Sequence, residues 1–393
     1  MRKFSANYIF TSNSKPLKNG IIVLDDDHKI IDIIDTNGDL KEIENLEFYN
    51  GVITPGFINT HSHIELSFLK NKISPQSGMT SFVQQVEQKR VLAPTEIEES
   101  ILHADFEMKK NGIVAVGDIS NNNSSIAIKR KSKLHYHTFI EVFGIKNIPA
   151  NDKIDYAKKL LKEFESASLL ASIVPHAPYS ISENLMLRIS TNSKNRQITS
   201  IHNSESIDEE KLFVHKSGHL FDYIKSIDEN HLNYLSNFSN SSDFVYQNLN
   251  ANHKNILVHN THVCDTDIIK LSDKFIDLYW CICPNSNIFI ENNLPKLDVF
   301  YKSNQQICLG TDSLASNTSL SILDEMKTIA KFFPEIPFVE ILNWATINGA
   351  KALDISEIYG SLEIGKSPGI NLIENFDFEK MTLTTNSRVK VLL

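Results

Sequence analysis

VITPGFINTHSH, residues 52–63, begins as an apolar, β-branched run and ends abruptly in polar residues that include two histidines. A short run of this kind, closed by a polar tip, reads as a buried strand. The pattern recurs in GIVAVGDIS (112–120), HYHTFIEVFG (135–144), LLASIVPHAPY (169–179), QITSIHN (197–203), NILVHNTHV (255–263), LYWCICPNSN (278–287) and QQICLGTDS (305–313). Helix-like segments separate the runs. One of them, APTEIEESILHADFEMKKNG, has apolar positions near helical spacing and acids towards its start, where the helix dipole favours them. Eight alternating strand and helix units predict an α/β fold, a closed (β/α)8 TIM-type barrel, in preference to a doubly wound open sheet. No Gly-rich dinucleotide turn follows the first strand, which weighs against the open sheet.

Outward from these runs the pattern changes. Residues 1–51 read as short strands with turns at Lys18-Asn19-Gly20 and Asp25-Asp26-Asp27, and 358–393 as further strands around Gly360, Gly365 and Gly369. Both ends are expected to pair into one small β domain, leaving 52–357 for the barrel. Two connections, about 66–100 and about 204–254, are too long to be simple links and read as lids or specificity loops at the catalytic face. A chain of 393 residues, 41% hydrophobic and 22% charged, can build a large core. Its net charge of -9 argues against a nucleic-acid or anionic-membrane partner. No apolar run approaches a bilayer span, and the start MRKFSANYIFTSNS lacks the apolar core of a signal peptide. Four cysteines, none in a Cys-x-x-Cys pair, make no disulfide framework, so a reduced cytoplasm is the expected location.

The chemistry gathers at the strand tips. His61 and His63 are two apart on a strand and therefore face one point, and imidazole is the commonest protein ligand for zinc and similar metals. His202, ending the fifth strand, offers a third ligand. Glu205 follows three residues later, close enough to pass a proton between water and substrate. Asp312 ends the eighth strand, where a carboxylate is costly unless it binds a charge. His259 ends the sixth, placed to polarise water or a developing alkoxide. His63-Ile64-Glu65 mimics the His-x-Glu of cytidine-type zinc deaminases, but their Pro-Cys-x-x-Cys partner is missing. The fourth strand ends in PHAPYS, with His176 and no lysine to bridge two metals, which favours one divalent metal ion. Cys281 and Cys283 read as core, His135 and His137 lie at the wrong end of their strand, and Phe213, Phe221 and Tyr223 read as a local core rather than a cover for a bound ring.

Taken together, PGFINTHSHIELS, SIHNSES, LVHNTHV, CPNSNIFI, LGTDSLASNTSLSILDEM, ATINGAKAL and GSLEIGKSPG resemble the amidohydrolase superfamily, in particular its deaminase and chlorohydrolase branch. The resemblance runs in order over nearly the whole chain. It implies a barrel beside a small β-sandwich, and one zinc or iron ion held by His61, His63, His202 and Asp312. It also implies that Glu205, His259 and Asp312 handle the chemistry, with His176, Glu205 and Ser313 contacting the substrate. VPHAPYSIS, IHNSES and TDSLASNTSLSILDEM look most like the aminodeoxyfutalosine deaminases of menaquinone biosynthesis, and the expected reaction is hydrolytic deamination of an aminopurine nucleoside. SPGINL departs from the group's usual Ala-Asp-Leu, but outside the barrel. The segment SGMTSFVQQV, where relatives read the sugar, matches least. Rival readings are adenosine, methylthioadenosine/adenosylhomocysteine or guanine deamination, triazine dechlorination, or an inactive relative serving as a binding or assembly protein. Relatives of this branch often dimerise, so a homodimer is the assembly to test for.

Overall fold

The computed structural model describes residues 1–89, 94–146, 150–193 and 196–393. Five strands open the chain: β1 (Arg2–Ile9), β2 (Leu17–Lys18), β3 (Ile21–Leu24), β4 (Ile30–Ile34) and β5 (Leu46–Pro55). Eight parallel strands follow: β6 (Phe57–Ser62), β7 (Ile113–Ser120), β8 (His135–Val142), β9 (Leu170–Pro175), β10 (Ile198–Asn203), β11 (Lys254–His259), β12 (Asp277–Ile282) and β13 (Ile307–Leu309). Two more, β14 (Ile370–Glu374) and β15 (Arg388–Val391), close the chain. Each of the eight expected strands is present. The first is shorter than 52–63, because residues 52–55 belong to β5 and pair with β14 instead. Gly56 makes the break. A Cβ there would meet the Val114 side chain at 2.3 Å and the Pro368 carbonyl at 2.8 Å, so no larger residue lets the chain pass between the two sheets.

The eight parallel strands hydrogen-bond in sequence order as two sheets of four, β6 to β9 and β10 to β13. At one seam the His202 amide donates to the His176 carbonyl at 2.9 Å. At the other, the Thr311 and Asp312 amides both donate to the His61 carbonyl, each at 3.0 Å, and Ser62 bridges Asp312 in parallel. Alternate residues of every one of these strands meet in a single buried cluster. It includes Ile58, Ala115, Phe139, Val174, Ile198, Ile256, Cys281 and Cys308. The intervening positions, such as Val116, Leu257 and Trp280, pack outward against the helices. This is why the strands read as continuous apolar runs: both faces are buried.

Strands from the two ends of the chain join in one mixed sheet of seven, ordered β15-β14-β5-β1-β3-β4 with β2 against β1. It has its own core of Phe4, Ile9, Ile22, Leu24, Ile53, Leu362 and Leu372. The helix expected from APTEIEESILHADFEMKKNG spans Pro94–Lys110; Ala93 lies outside the described residues, as does all of 90–93 within the first long connection. That connection supplies the helix Met79–Lys89. The second is largely helical, including Ile207–Glu210, His219–Ile227, Glu229–Leu235 and Ser241–Asn248. Among the described residues no helix is long and apolar enough to cross a membrane.

One buried ion pair stiffens the rim beneath the first strand. Lys129 and Asp118, both side chains fully buried, approach to 2.6 Å. Lys129 also donates to Ser120 and Thr138, each at 3.0 Å, while Asp118 accepts the Ile64 amide at 2.9 Å. The pair therefore fixes the backbone immediately after His63. Removing one partner strands a charge in the interior, so Lys129→Met is expected to destabilise the protein by about 3–5 kcal/mol in urea denaturation. A loss under about 1 kcal/mol would mean that water reaches Asp118 and that the pair is not sealed.

Candidate metal centre

The C-terminal tips of the eight strands bring the expected residues together. His61 and His63 lie within and just after β6, His202 in β10, His259 at the end of β11 and Asp312 just after β13. His61 is wholly buried; His63, His202, His259 and Asp312 are nearly so. The His61 and His63 Nε2 atoms stand 3.1 Å apart, and ligand atoms of His61, His63 and His202 all fall within 4.8 Å of one another. Asp312 Oδ1 lies 3.7 Å from His61 Nε2 and 3.5 Å from His63 Nε2. Ser286 and Ser316 hydroxyls donate to the other oxygen, Oδ2, at 2.7 and 2.5 Å. The serines commit one carboxylate oxygen and leave Oδ1 facing the imidazoles.

The strand geometry that does this is exacting. A Cβ at Gly310 would sit 2.8 Å from the His61 Cβ and 2.9 Å from its carbonyl, so glycine is what lets β13 close on β6. His259 and Asp312 both adopt left-handed backbone, at φ 71° and 56°. Histidine and aspartate are among the few side chains that tolerate this region, at about 1 kcal/mol or more each.

Electrostatics separate the groups. Burial, then the neighbouring His61, pushes the His63 imidazole down to about 4. Burial likewise holds His61, His202 and His259 below the ordinary imidazole range. Desolvation opposes the charge on Asp312, yet the hydrogen bond and charges of the surrounding histidines keep its carboxyl well below the usual range. Neutral imidazoles and an ionised carboxylate converging in a dry site are a donor set that a divalent ion satisfies. His202 Nδ1 donates to the His176 carbonyl at 2.8 Å, which leaves Nε2 as the nitrogen able to bind an ion.

Glu205 and His259 form a second pair, with His259 Nε2 3.3 Å from Glu205 Oε1. Burial and the charges of Asp312, Glu209, Glu291 and Glu141 push the Glu205 carboxyl well above its normal range. Burial holds His259 down at the same time, so both shifts disfavour the charged forms of this pair. Asn287 Oδ1 accepts from His259 Nδ1 at 2.9 Å and so turns its Nε2 towards Glu205.

A cavity of about 400 Å³ opens above these groups. His63, His176, His202, Glu205, Asp312 and Ser313 line its floor and side. Its roof is apolar, from Met79, Phe82 and Val86 of the first long connection and Leu220, Tyr223 and Ile224 of the second. Tyr223 thus lines the cavity, whereas Phe213 is buried core and Phe221 packs against it. The two connections are tied by Thr80, whose hydroxyl donates to Asp208 at 2.8 Å. His137 bonds Ser172 away from the cavity, Cys281 and Cys283 lie in the core, and Glu65 is held by the Asn121 amide at 2.9 Å.

Four neighbours escaped the sequence reading: Glu141, Asn287 and the two serines, Ser286 and Ser316, that clamp Asp312. Glu141 Oε1 accepts from His176 Nδ1 at 2.6 Å and lies 3.8 Å from His202 Nδ1. The rule that picks out Asp312, a carboxylate near the end of an apolar strand, also picks out Glu141 in HYHTFIEV. The serines and Asn287 carry no such signal.

The loop after β13 is braced by Glu325, a fully buried acid. It accepts the Asn285 amide and the Asn317 side chain, each at 2.8 Å, and burial pushes its carboxyl up to about 8. The folded state therefore holds more protons than the unfolded state between pH 4.5 and about 8. This contribution to stability is complete below that window and is lost as pH rises through it. Glu325→Gln is expected to flatten the fall in stability between pH 6 and 9 relative to wild type, where one proton sets a limit of about 1.4 kcal/mol per pH unit. Identical slopes would contradict the assignment. At the centre itself, zinc added to metal-free protein is expected to raise the melting temperature of wild type and not of His61→Ala, since ion binding stabilises only a chain that can hold it. An equal rise in both would exclude His61 as a ligand.

Comparison with known proteins places this geometry. The model of the amidohydrolase family matches residues 52–390. An adenosine deaminase of Helicobacter pylori is 27% identical over 96% of this chain and 94% of its own length. The crystal structure of Helicobacter pylori aminofutalosine deaminase in complex with methylthio-coformycin superposes with a TM-score of 0.79 at 23% identity, over 97% of this chain and 94% of that one. The zinc complex of atrazine chlorohydrolase from Arthrobacter aurescens superposes at 0.75 and 15% identity, over 99% and 93%. At these identities the two superpositions establish a shared fold.

Proposed function

The chain belongs to the amidohydrolase family, and from that premise we propose that it is a metal-dependent deaminase of an aminopurine nucleoside. The observation that carries the reading is the convergence of His61, His63, His202 and Asp312 beside the buried Glu205–His259 pair, under a cavity of nucleoside size. We place the substrate as aminodeoxyfutalosine, converted to futalosine and ammonia on the way to menaquinone in the cytoplasm. The relatives named adenosine deaminase and aminofutalosine deaminase support that class.

The proposed architecture is a (β/α)8 barrel over 52–357 with a small β-sandwich domain from 1–51 and 358–393. Support comes from the cluster to which all eight strands contribute and from the sheet drawn from both ends of the chain. The pairing of 52–55 with β14 supports counting those four residues with the small domain rather than the barrel.

In this reading His61, His63, His202 and Asp312 hold one divalent ion, zinc or iron. When bound, the ion supplies a Lewis acid that brings the pKa of water towards neutrality. Glu205 carries a proton from the incoming water to the ring nitrogen next to carbon 6, making that carbon electrophilic, then takes the proton of the added hydroxyl and passes it to the amine, which leaves as ammonia. His259, its Nδ1 proton committed to Asn287, offers an unprotonated Nε2 that accepts a hydrogen bond from the incoming water and orients it towards carbon 6. Asp312 holds the same oxygen from the other side. His176 and Ser313 grip the purine, and the apolar roof excludes water from the reacting carbon. The single-ion reading rests on the missing fourth-strand lysine and on His202, whose Nδ1 is already engaged.

Glu205→Gln is expected to keep its metal and lose at least about a hundredfold in rate, the ordinary size of an acid-base contribution. Retained activity would remove Glu205 from the chemistry. Ammonia release should favour aminodeoxyfutalosine over adenosine, methylthioadenosine and adenosylhomocysteine. Preference for another member of that panel would overturn the substrate and leave the reaction.

A further inference from the structure

Glu141 sits near the end of β8, its side chain only 4% exposed. Its Oε1 accepts from His176 Nδ1 at 2.6 Å and its Oε2 accepts from the Asn121 side chain at 3.1 Å. Among the described residues no lysine or arginine pairs with it; its charged neighbours are His176 and His202. A buried carboxylate whose partners are imidazoles and one side-chain amide is a poor device for stability, because desolvation offsets the attraction. It is a good device for orienting a ring. A carboxylate accepts and does not donate, so the His176 Nδ1 carries a proton and is committed to Glu141. Any contact the ring makes with a ligand in the cavity then runs through Nε2.

The geometry points to Glu141 as a positioning residue: it fixes the ring plane and tautomer of His176, so that this histidine presents Nε2 to the substrate. Asn121 holds the carboxylate in turn. The same Asn121 anchors Glu65, two residues beyond His63, through its backbone amide. The relay therefore keeps the substrate-facing histidine in register with the first ligand strand. The kinetic part of this inference rests on the deaminase reading; the geometric part does not.

Two measurements test it. In steady-state deamination, Glu141→Gln is expected to raise KM about tenfold or more while kcat stays within about threefold, in the range usual for residues that orient a binding group. His176→Ala should show the same split, and the double variant should lose nothing further. An unchanged KM, or losses that multiply, would overturn the inference. Should Glu141→Gln fail to fold, Glu141→Asp, which keeps the charge on a shorter arm, is read the same way. Independently of turnover, a downfield Nδ1 proton is expected in spectra of ¹⁵N-histidine protein, assigned by its loss in His176→Ala. It should vanish in Glu141→Ala, and its survival there would overturn the geometry. If wild type deaminates nothing on the panel while this proton behaves as expected, the deaminase reading fails and the positioning stands.

Discussion

Two amide hydrogen bonds on one carbonyl organise this molecule. The His61 carbonyl accepts from Thr311 and Asp312, joining the last of the eight parallel strands to the first. The same bonds bring Asp312 beside His61 and His63, whose own positions follow from strand alternation. Gly310 permits the approach, Asn59 reinforces it by accepting the Thr311 amide at 3.1 Å, and the Ser286 and Ser316 hydroxyls turn the carboxylate. The contact between the last and first of these strands and the placing of Asp312 beside the two histidines thus rest on the same bonds.

Burial then sorts groups of like chemistry into different roles. Asp312 and Glu205 are both buried carboxyl groups in one site. Asp312 is surrounded by imidazoles, which hold its carboxyl well below the usual range; Glu205 faces other acids and is pushed well above it. Carboxyl groups driven apart in this way are the usual basis for dividing ligand and proton-transfer duties within one pocket. His259 completes the pattern, burial holding its imidazole below the ordinary range beside Glu205.

Much of this was legible in the sequence, and the reasons are physical. The eight strands announced themselves because a strand buried on both faces must be apolar throughout, so each polar tip stood out. His61, His63, His202, Glu205, His259 and Asp312 were visible as exceptions at those tips. Less visible was anything set by approach in space rather than by order along the chain. Gly56, where the expected first strand divides in two, looks like any glycine until Val114 and Pro368 are placed beside it. Asn287 and the two serines are ordinary polar residues near helix starts, and their use depends on which atom they meet. Glu141 lay inside a strand whose histidines drew attention to its other end. The cavity roof was foreseen as lids and not as residues, because helix packing decides which of Phe213, Phe221 and Tyr223 faces inward.

The most direct test of the central claim is anomalous diffraction from crystals of the zinc-loaded protein. A single peak is expected, about 2.0–2.2 Å from one nitrogen each of His61, His63 and His202 and from Asp312 Oδ1. A peak on Glu141 and His176 instead, or a second peak of comparable height beside the first, would contradict the account.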